Sequence, residues 1–170
     1  MGDAAGDTYT NIERIFGTGH DDIILGGGDD DILLGNGGDD FLTGGLGDDT
    51  LIGGAGVDSF GYDADQDAAD VISGFTTNEV IDILSNNPAF DSFAELLAVA
   101  TDAGANTIFN FGGGNTLTIV GQNIADLSAS NFTFNSPPSS ILASSTKSLP
   151  SDIDIFTEEM VDVFDMYALV

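Results

Sequence analysis

Residues 17–61 read, nine at a time, GTGHDDIIL, GGGDDDILL, GNGGDDFLT, GGLGDDTLI and GGAGVDSFG. Each line begins with glycine, carries aspartate sixth (Asp22, Asp31, Asp40, Asp49, Asp58) and a large apolar residue eighth (Ile24, Leu33, Leu42, Leu51, Phe60). A period held through consecutive copies marks a solenoid, in which every repeat adds one structural unit to the last. Six residues rich in glycine and aspartate make a turn and three make a short strand, so two repeats complete one coil. Alternate repeats then stack: residues 23–25, 41–43 and 59–61 line one sheet, and residues 32–34 and 50–52 line the other.

The middle residue of each triplet points inward, because side chains alternate along a strand. Burying a large apolar side chain contributes roughly 1.5–3 kcal/mol, whereas fixing one residue's backbone costs about 1–2 kcal/mol. So thin a core cannot by itself order the glycine-rich segment, which needs another source of stability. Ile23, Leu25, Ile32 and Leu34 flank the inward residues and point outward, where later repeats carry Thr43, Thr50, Ser59 and Gly61. That apolar patch needs a cover from the cap, the tail, an upstream domain or a second copy of the chain.

Charge narrows the partners. The chain holds 29 acidic and 2 basic residues, a net charge of −27, which excludes nucleic acid and disfavours anionic membrane surfaces. Residues 17–61 contain ten aspartates and no lysine or arginine, so without counter-ions the segment repels itself. The registration of the acids argues against a merely solvated face. Calcium takes about six to eight oxygens, from carboxylates and backbone carbonyls, and the repeat offers both. Stacking two repeats apart pairs Asp22 with Asp40, Asp31 with Asp49, and Asp40 with Asp58, giving three sites.

The nonapeptide GGxGxDxUx, with U apolar, resembles the repeat of the RTX (hemolysin-type calcium-binding) family. The resemblance implies an all-β fold: a right-handed parallel β-roll of nonapeptide repeats, then a mixed, mainly β cap with one short helix, then a flexible tail. It also implies the remaining ligands, backbone carbonyls of Thr18, His20, Gly35 and Gly37 at the first site. Those of Gly27, Asp29, Gly44 and Leu46 serve the second, and those of Asn36, Gly38, Gly53 and Ala55 the third. Incomplete end sites are expected through Glu13 with Asp31 and Asp49 with Asp67. His20 and Asp29 stand where the pattern has a fourth-place glycine, and both residue types tolerate the left-handed region. Asp21, Asp30, Asp39 and Asp48, fifth in their repeats, are expected to face water. Three divalent ions would bring the charge of −27 only to about −21.

Around the repeats, residues 1–16 read as a degenerate entry coil, as solenoid ends are atypical. Residues 62–135 have the composition of a capping region. Within it, residues 71–75 and 80–84 alternate as strands, and Ser92 with Glu95 marks the start of a helix over residues 92–101. Residues 107–111 and 116–120 make a hairpin about the turn 112–115, and residues 132–134 a last strand. Residues 136–151 read as a Ser/Pro linker. Residues 152–170 space Ile153, Phe156, Met160, Val163, Phe164 and Tyr167 by threes and fours, an acidic amphipathic helix pattern that resembles an uncleaved type I secretion signal.

Enzymatic signatures are missing from the sequence: it has no HExxH, no GxSxG, no cysteine, and one histidine, His20, a weak candidate for a catalytic base or zinc ligand. No apolar run long enough to span a bilayer is present. The expected function is a non-enzymatic calcium-binding module, secreted to the extracellular space, that folds on meeting extracellular calcium and engages the type I secretion machinery through its C-terminal segment. The alternatives are a carbohydrate-binding accessory module, or the C-terminal part of a secreted hydrolase, adhesin or toxin.

Overall fold

The computed structural model describes residues 14–65, 68–85, 87 and 90–135. The first part of the entry coil, the linker and the C-terminal amphipathic segment lie outside these residues, as do Glu13 and Asp67.

Nine-residue periodicity becomes two facing parallel sheets. Strands β1 (Arg14–Phe16), β3 (Ile32–Gly37), β5 (Thr50–Ala55) and β7 (Ala69–Ser73) stack on one side. Strands β2 (Ile23–Gly27), β4 (Phe41–Gly45), β6 (Ser59–Asp63) and β8 (Val80–Leu84) stack on the other. The registers Leu33↔Leu51 and Ile24↔Leu42↔Phe60 place equivalent repeat positions above one another. The strands run on past the expected triplets into the glycines that open the next repeat, because ladder hydrogen bonds need no side chain.

The five eighth-place residues are all buried, as the alternation requires. Outside them, Ile23 is 66% and Leu25 49% exposed, while Ile32 and Leu34 are half-buried. The inward column continues through Ile72 and Ile81, both fully buried, so the core does not stop where the recognisable repeats stop.

Residues 62–135 extend both sheets. β11 (Asn115–Val120) pairs parallel with β7 and antiparallel with β10 (Asn106–Gly112), and β10 pairs with β9 (Ala100–Ala103). β12 (Phe132–Asn135) pairs parallel with β8. The hairpin, the strand 80–84 and the last strand lie where the sequence places them, whereas the strand expected at 71–75 runs from Ala69 to Ser73. Gly74, with φ +81°, ends it, and Phe75 turns inward to lie 6.1 Å from Phe60.

Helix α1 (Phe93–Ala98) is shorter than expected. Ser92 caps it by accepting from the Glu95 N–H, and Leu96 is buried. The helix ends because Ala100–Ala103 pair with β10, and a ladder outweighs one more turn holding the β-branched Val99 and Thr101. The interior here is aromatic: Phe132 stacks on Phe93 at 5.5 Å and meets Phe109 edge-on at 5.7 Å. Phe111 packs against Tyr62 and Phe90. This cluster gives the capping region the apolar mass that the repeats lack.

Candidate metal centre

Each sixth-place aspartate stands at the mouth of a strand whose next inward residue is the buried eighth-place side chain, so the fold fixes the carboxylates in two columns. Asp31, Asp40, Asp49 and Asp58 are each at most 5% exposed; Asp22, in the first coil, is half-buried. The expected pairs are in direct contact. The backbone N–H of Asp22 donates to Asp40 Oδ1 at 2.8 Å, that of Asp31 to Asp49 Oδ1 at 2.7 Å, and that of Asp40 to Asp58 Oδ1 at 3.0 Å. One oxygen of each upper carboxylate is thereby satisfied by the coil below.

The second oxygen is not. Oδ2 of Asp40, Asp49 and Asp58 is buried and has no hydrogen-bond partner in the structure. A buried carboxylate oxygen without a partner is costly, by several kcal/mol for an ion. The oxygen lies over the glycine that opens its own repeat: a Cβ on Gly35, Gly44 or Gly53 would collide with the Oδ2 of Asp40, Asp49 or Asp58 respectively. At Gly35 the same Cβ would lie 2.5 Å from the Gly53 carbonyl oxygen, one coil on. Glycine thus leaves an oxygen-lined space between carboxylate and carbonyl. Asp22 differs, because the Thr18 N–H and hydroxyl both donate to its Oδ2, at 2.6 and 2.9 Å.

Electrostatics agree with geometry. Burial pushes the Asp40 carboxyl above its ordinary range against the opposing Asp22 N–H bond, and the Asp58 and Asp22 carboxylates add to the rise. Burial likewise raises Asp49 to about 7, with Asp70 and Asp31 contributing like charge. These acids are held where a proton or a cation must compensate them.

The turn carbonyls stack from coil to coil. That of Gly35 lies over Gly17 and that of Gly44 over Gly26. Those of His20, Asp29 and Gly38 face Gly38, Gly47 and Gly56, and those of Gly27 and Asn36 face Gly45 and Gly54. The carbonyls of Gly27 and Ala55 also accept the N–H groups of Leu46 and Gly38, leaving one lone pair each. Near Gly37, only the Ala55 carbonyl approaches, 3.6 Å from where a Cβ would stand. Among the described residues no three of Asp, Glu, His or Cys converge in a metal-ligating cluster, so an ion here would draw on two carboxylates and on backbone oxygens.

Backbone angles correct one expectation. His20 and Asp29 do not enter the left-handed region; among the described residues the sole non-glycine there is Asn36, with φ 74°. In the last three repeats positive φ recurs at the second and fourth places, Asn36 and Gly38, Gly45 and Gly47, Gly54 and Gly56. The first two repeats take another path, because a Cβ at the fourth place makes that conformation unfavourable. The third expected site is therefore the one built wholly from regular turns.

The fifth-place aspartates are exposed, as expected, yet sequence reasoning missed what they do. Asp21, Asp30, Asp39 and Asp48 each accept, through Oδ1, the backbone N–H of the residue one coil further on: Asp39, Asp48, Val57 and Ala69, at 2.8–2.9 Å. A hydrogen bond to a charged group contributes about 1.5–3 kcal/mol, so this outer ladder helps to hold the coils together. The paired DD of four repeats was its signal. The inner ladder also goes further than expected: the Asp49 N–H donates to Asp70 Oδ1 at 3.0 Å, with Asp70 in the place that the 18-residue spacing gave to Asp67.

Known proteins share the repeat and the fold. A family model described as the RTX calcium-binding nonapeptide repeat, in four copies, matches residues 7–42, 25–60 and 34–69. The fold is similar to the solution structure of the AlgE6R3 subunit of the Azotobacter vinelandii mannuronan C5-epimerase, at 26% identity and a TM-score of 0.52 over 84% of each chain. The AlgE6R2 subunit of the same enzyme is also similar, at 26% identity and a TM-score of 0.49, over 75% of this chain and 96% of that one. Comparison with curated protein sequences gave no match.

Proposed function

We propose, on the premise that this chain carries RTX calcium-binding nonapeptide repeats across residues 7–69, that it is a module whose roll folds on binding calcium and so supports the export and extracellular folding of the protein that contains it. The observation behind this reading is the set of buried, unpartnered Oδ2 atoms of Asp40, Asp49 and Asp58. The residues fit a hard dication: Asp22 with Asp40, Asp31 with Asp49, and Asp40 with Asp58 would hold three ions, completed respectively by the carbonyls of Thr18, His20, Gly35 and Gly37, of Gly27, Asp29, Gly44 and Leu46, and of Asn36, Gly38, Gly53 and Ala55. Calcium would supply the positive charge that the sequence lacks, and because a preformed site is absent from the unfolded chain, its binding free energy is folding free energy.

In sub-micromolar calcium the repeats repel one another and the chain stays open enough to be threaded through an exporter; at millimolar calcium outside the cell the balance reverses. The C-terminal segment 152–170 would engage the type I secretion machinery, and the protein would act extracellularly. The exposed Ile23 and Leu25, with Ile32 and Leu34, would be covered by an upstream domain or by a second copy. Among the described residues no helix is long and apolar enough to cross a membrane.

Likeness to one subunit of a mannuronan C5-epimerase supports reading the chain as a module of a larger protein. A charge of −27 with two basic residues disfavours a hold on an anionic polysaccharide. Circular dichroism of the whole chain tests the reading. The β spectrum should be lost in chelator and restored cooperatively by calcium; equal β content in both would refute it.

A further inference from the structure

The roll holds more repeats than its glycines announce. Ala69 and Asp70 occupy the fifth and sixth places of a further repeat: the Ala69 N–H closes the outer ladder on Asp48 Oδ1 at 2.9 Å, and Asp70 Oδ1 closes the inner ladder on the Asp49 N–H at 3.0 Å. Ile72, two residues on, is the buried eighth-place residue, in register with Leu51. The other column continues to Glu79, which precedes Val80 and the buried Ile81, in register with Phe60. Asp58 to Asp70 spans twelve residues instead of nine, and Asp70 to Glu79 spans nine again. One three-residue insertion therefore hides both repeats.

The two ends are chemically different. A Glu79 carboxylate oxygen turns back onto its own loop and accepts the Thr76 N–H at 2.9 Å, as a cap does. Asp70 instead faces Asp49, and both are buried, at 4% and 1% exposure. Asp49 Oδ2 is buried without a partner over Gly44. The Tyr62 hydroxyl, which feels the charge of Asp70, is likewise buried without a partner. The two basic residues of the chain are Arg14 and Lys147, so no lysine or arginine from residue 15 to residue 135 can neutralise the pair.

We propose that Asp49 and Asp70 form a fourth divalent-cation site, at the junction of the repeats and the capping region, so that the ion column ties residues 62–135 to the roll. The inference rests on the calcium reading above, and the experiment separates the two. Asp70→Asn keeps an oxygen acceptor for the Asp49 N–H but removes the charge. Calorimetric titration of the whole chain with calcium should give four ions for the wild type and three for Asp70→Asn, with the same β spectrum in saturating calcium. Wild type that binds no calcium would sink the underlying reading; wild type and variant binding equal numbers would overturn this site alone. If Asp70→Asn fails to fold, a chain with Tyr9→Phe and Tyr167→Phe leaves Tyr62 as its one tyrosine, in a sequence without tryptophan. Terbium added to it should then show tyrosine-sensitised emission that calcium displaces. Absence of that emission in the folded chain would overturn the proposal.

Discussion

Asp40 lies at the centre of the column, and replacing it by asparagine should have opposite effects with and without calcium. Its Oδ1 accepts the Asp22 N–H, its own N–H donates to Asp58, and its Oδ2 is buried without a partner. Asparagine retains the acceptor and the backbone donor, so the ladder survives and only charge is removed. In chelator that relieves a buried like-charge stack, and the variant should be at least as ordered as wild type. In calcium it removes a ligand shared by two sites. A site whose ligand is present at one hundred times its Kd stabilises the folded state by about 2.7 kcal/mol, so losing both costs about 5 kcal/mol. Asp22→Asn, which touches one site, should cost about half as much. Urea denaturation followed by circular dichroism, in saturating calcium and in chelator, reads both signs. Equal losses for Asp40→Asn and Asp22→Asn in calcium would mean that the pairing is wrong.

Further expectations follow from the same geometry. Burial raises Asp49 to about 7 and Asp70 to about 6, above the value of about 3.9 in an unfolded chain. The proton that they bind more tightly when folded thus stabilises the calcium-free form below about pH 4, and this contribution is lost as pH rises through 6 to 7. In chelator the chain should therefore be more ordered at pH 5 than at pH 8, while calcium affinity should fall over the same acidification; a flat chelator profile by circular dichroism would contradict this. Gly44→Ala drives a methyl into the Asp49 carboxylate and should cost about 1–3 kcal/mol, measured by urea denaturation in calcium. Gly28→Ala meets nothing within 4 Å and should be neutral or slightly stabilising. Leu51→Ala, at a position 1% exposed, should lose about 2–5 kcal/mol in calcium, by the same assay.

How much was legible depends on how local the cause is. Inward Leu33 and Leu42, outward Ile23 and Leu25, and the pairs of stacked aspartates follow from a fixed period, since nine residues make half a coil wherever they occur. Ser92 could be read as a cap because its partner Glu95 is three residues away. The end of that helix could not, because Ala100–Ala103 leave it to pair with a strand whose register is set elsewhere. The outer ladder escaped notice for a similar reason: Asp39 looks solvated in sequence and is exposed in space, yet its carboxylate bonds the Val57 N–H one coil away.

The sequence alone determined the repeat length, the two faces of each strand and the columns of carboxylates, because periodicity converts directly into stacking. Only the tertiary structure decided where those columns end. Asp70 follows Asp49 by 21 residues, not 18, and no spacing rule selects it over Asp67. On the two sides of that insertion, the Asn115 side chain accepts the Ala68 N–H and donates to the Ala64 carbonyl. A residue 47 positions away on a later strand thereby restores the register. Contacts between distant segments, among them the pairing of β7 with β11, set where the inner column of carboxylates ends.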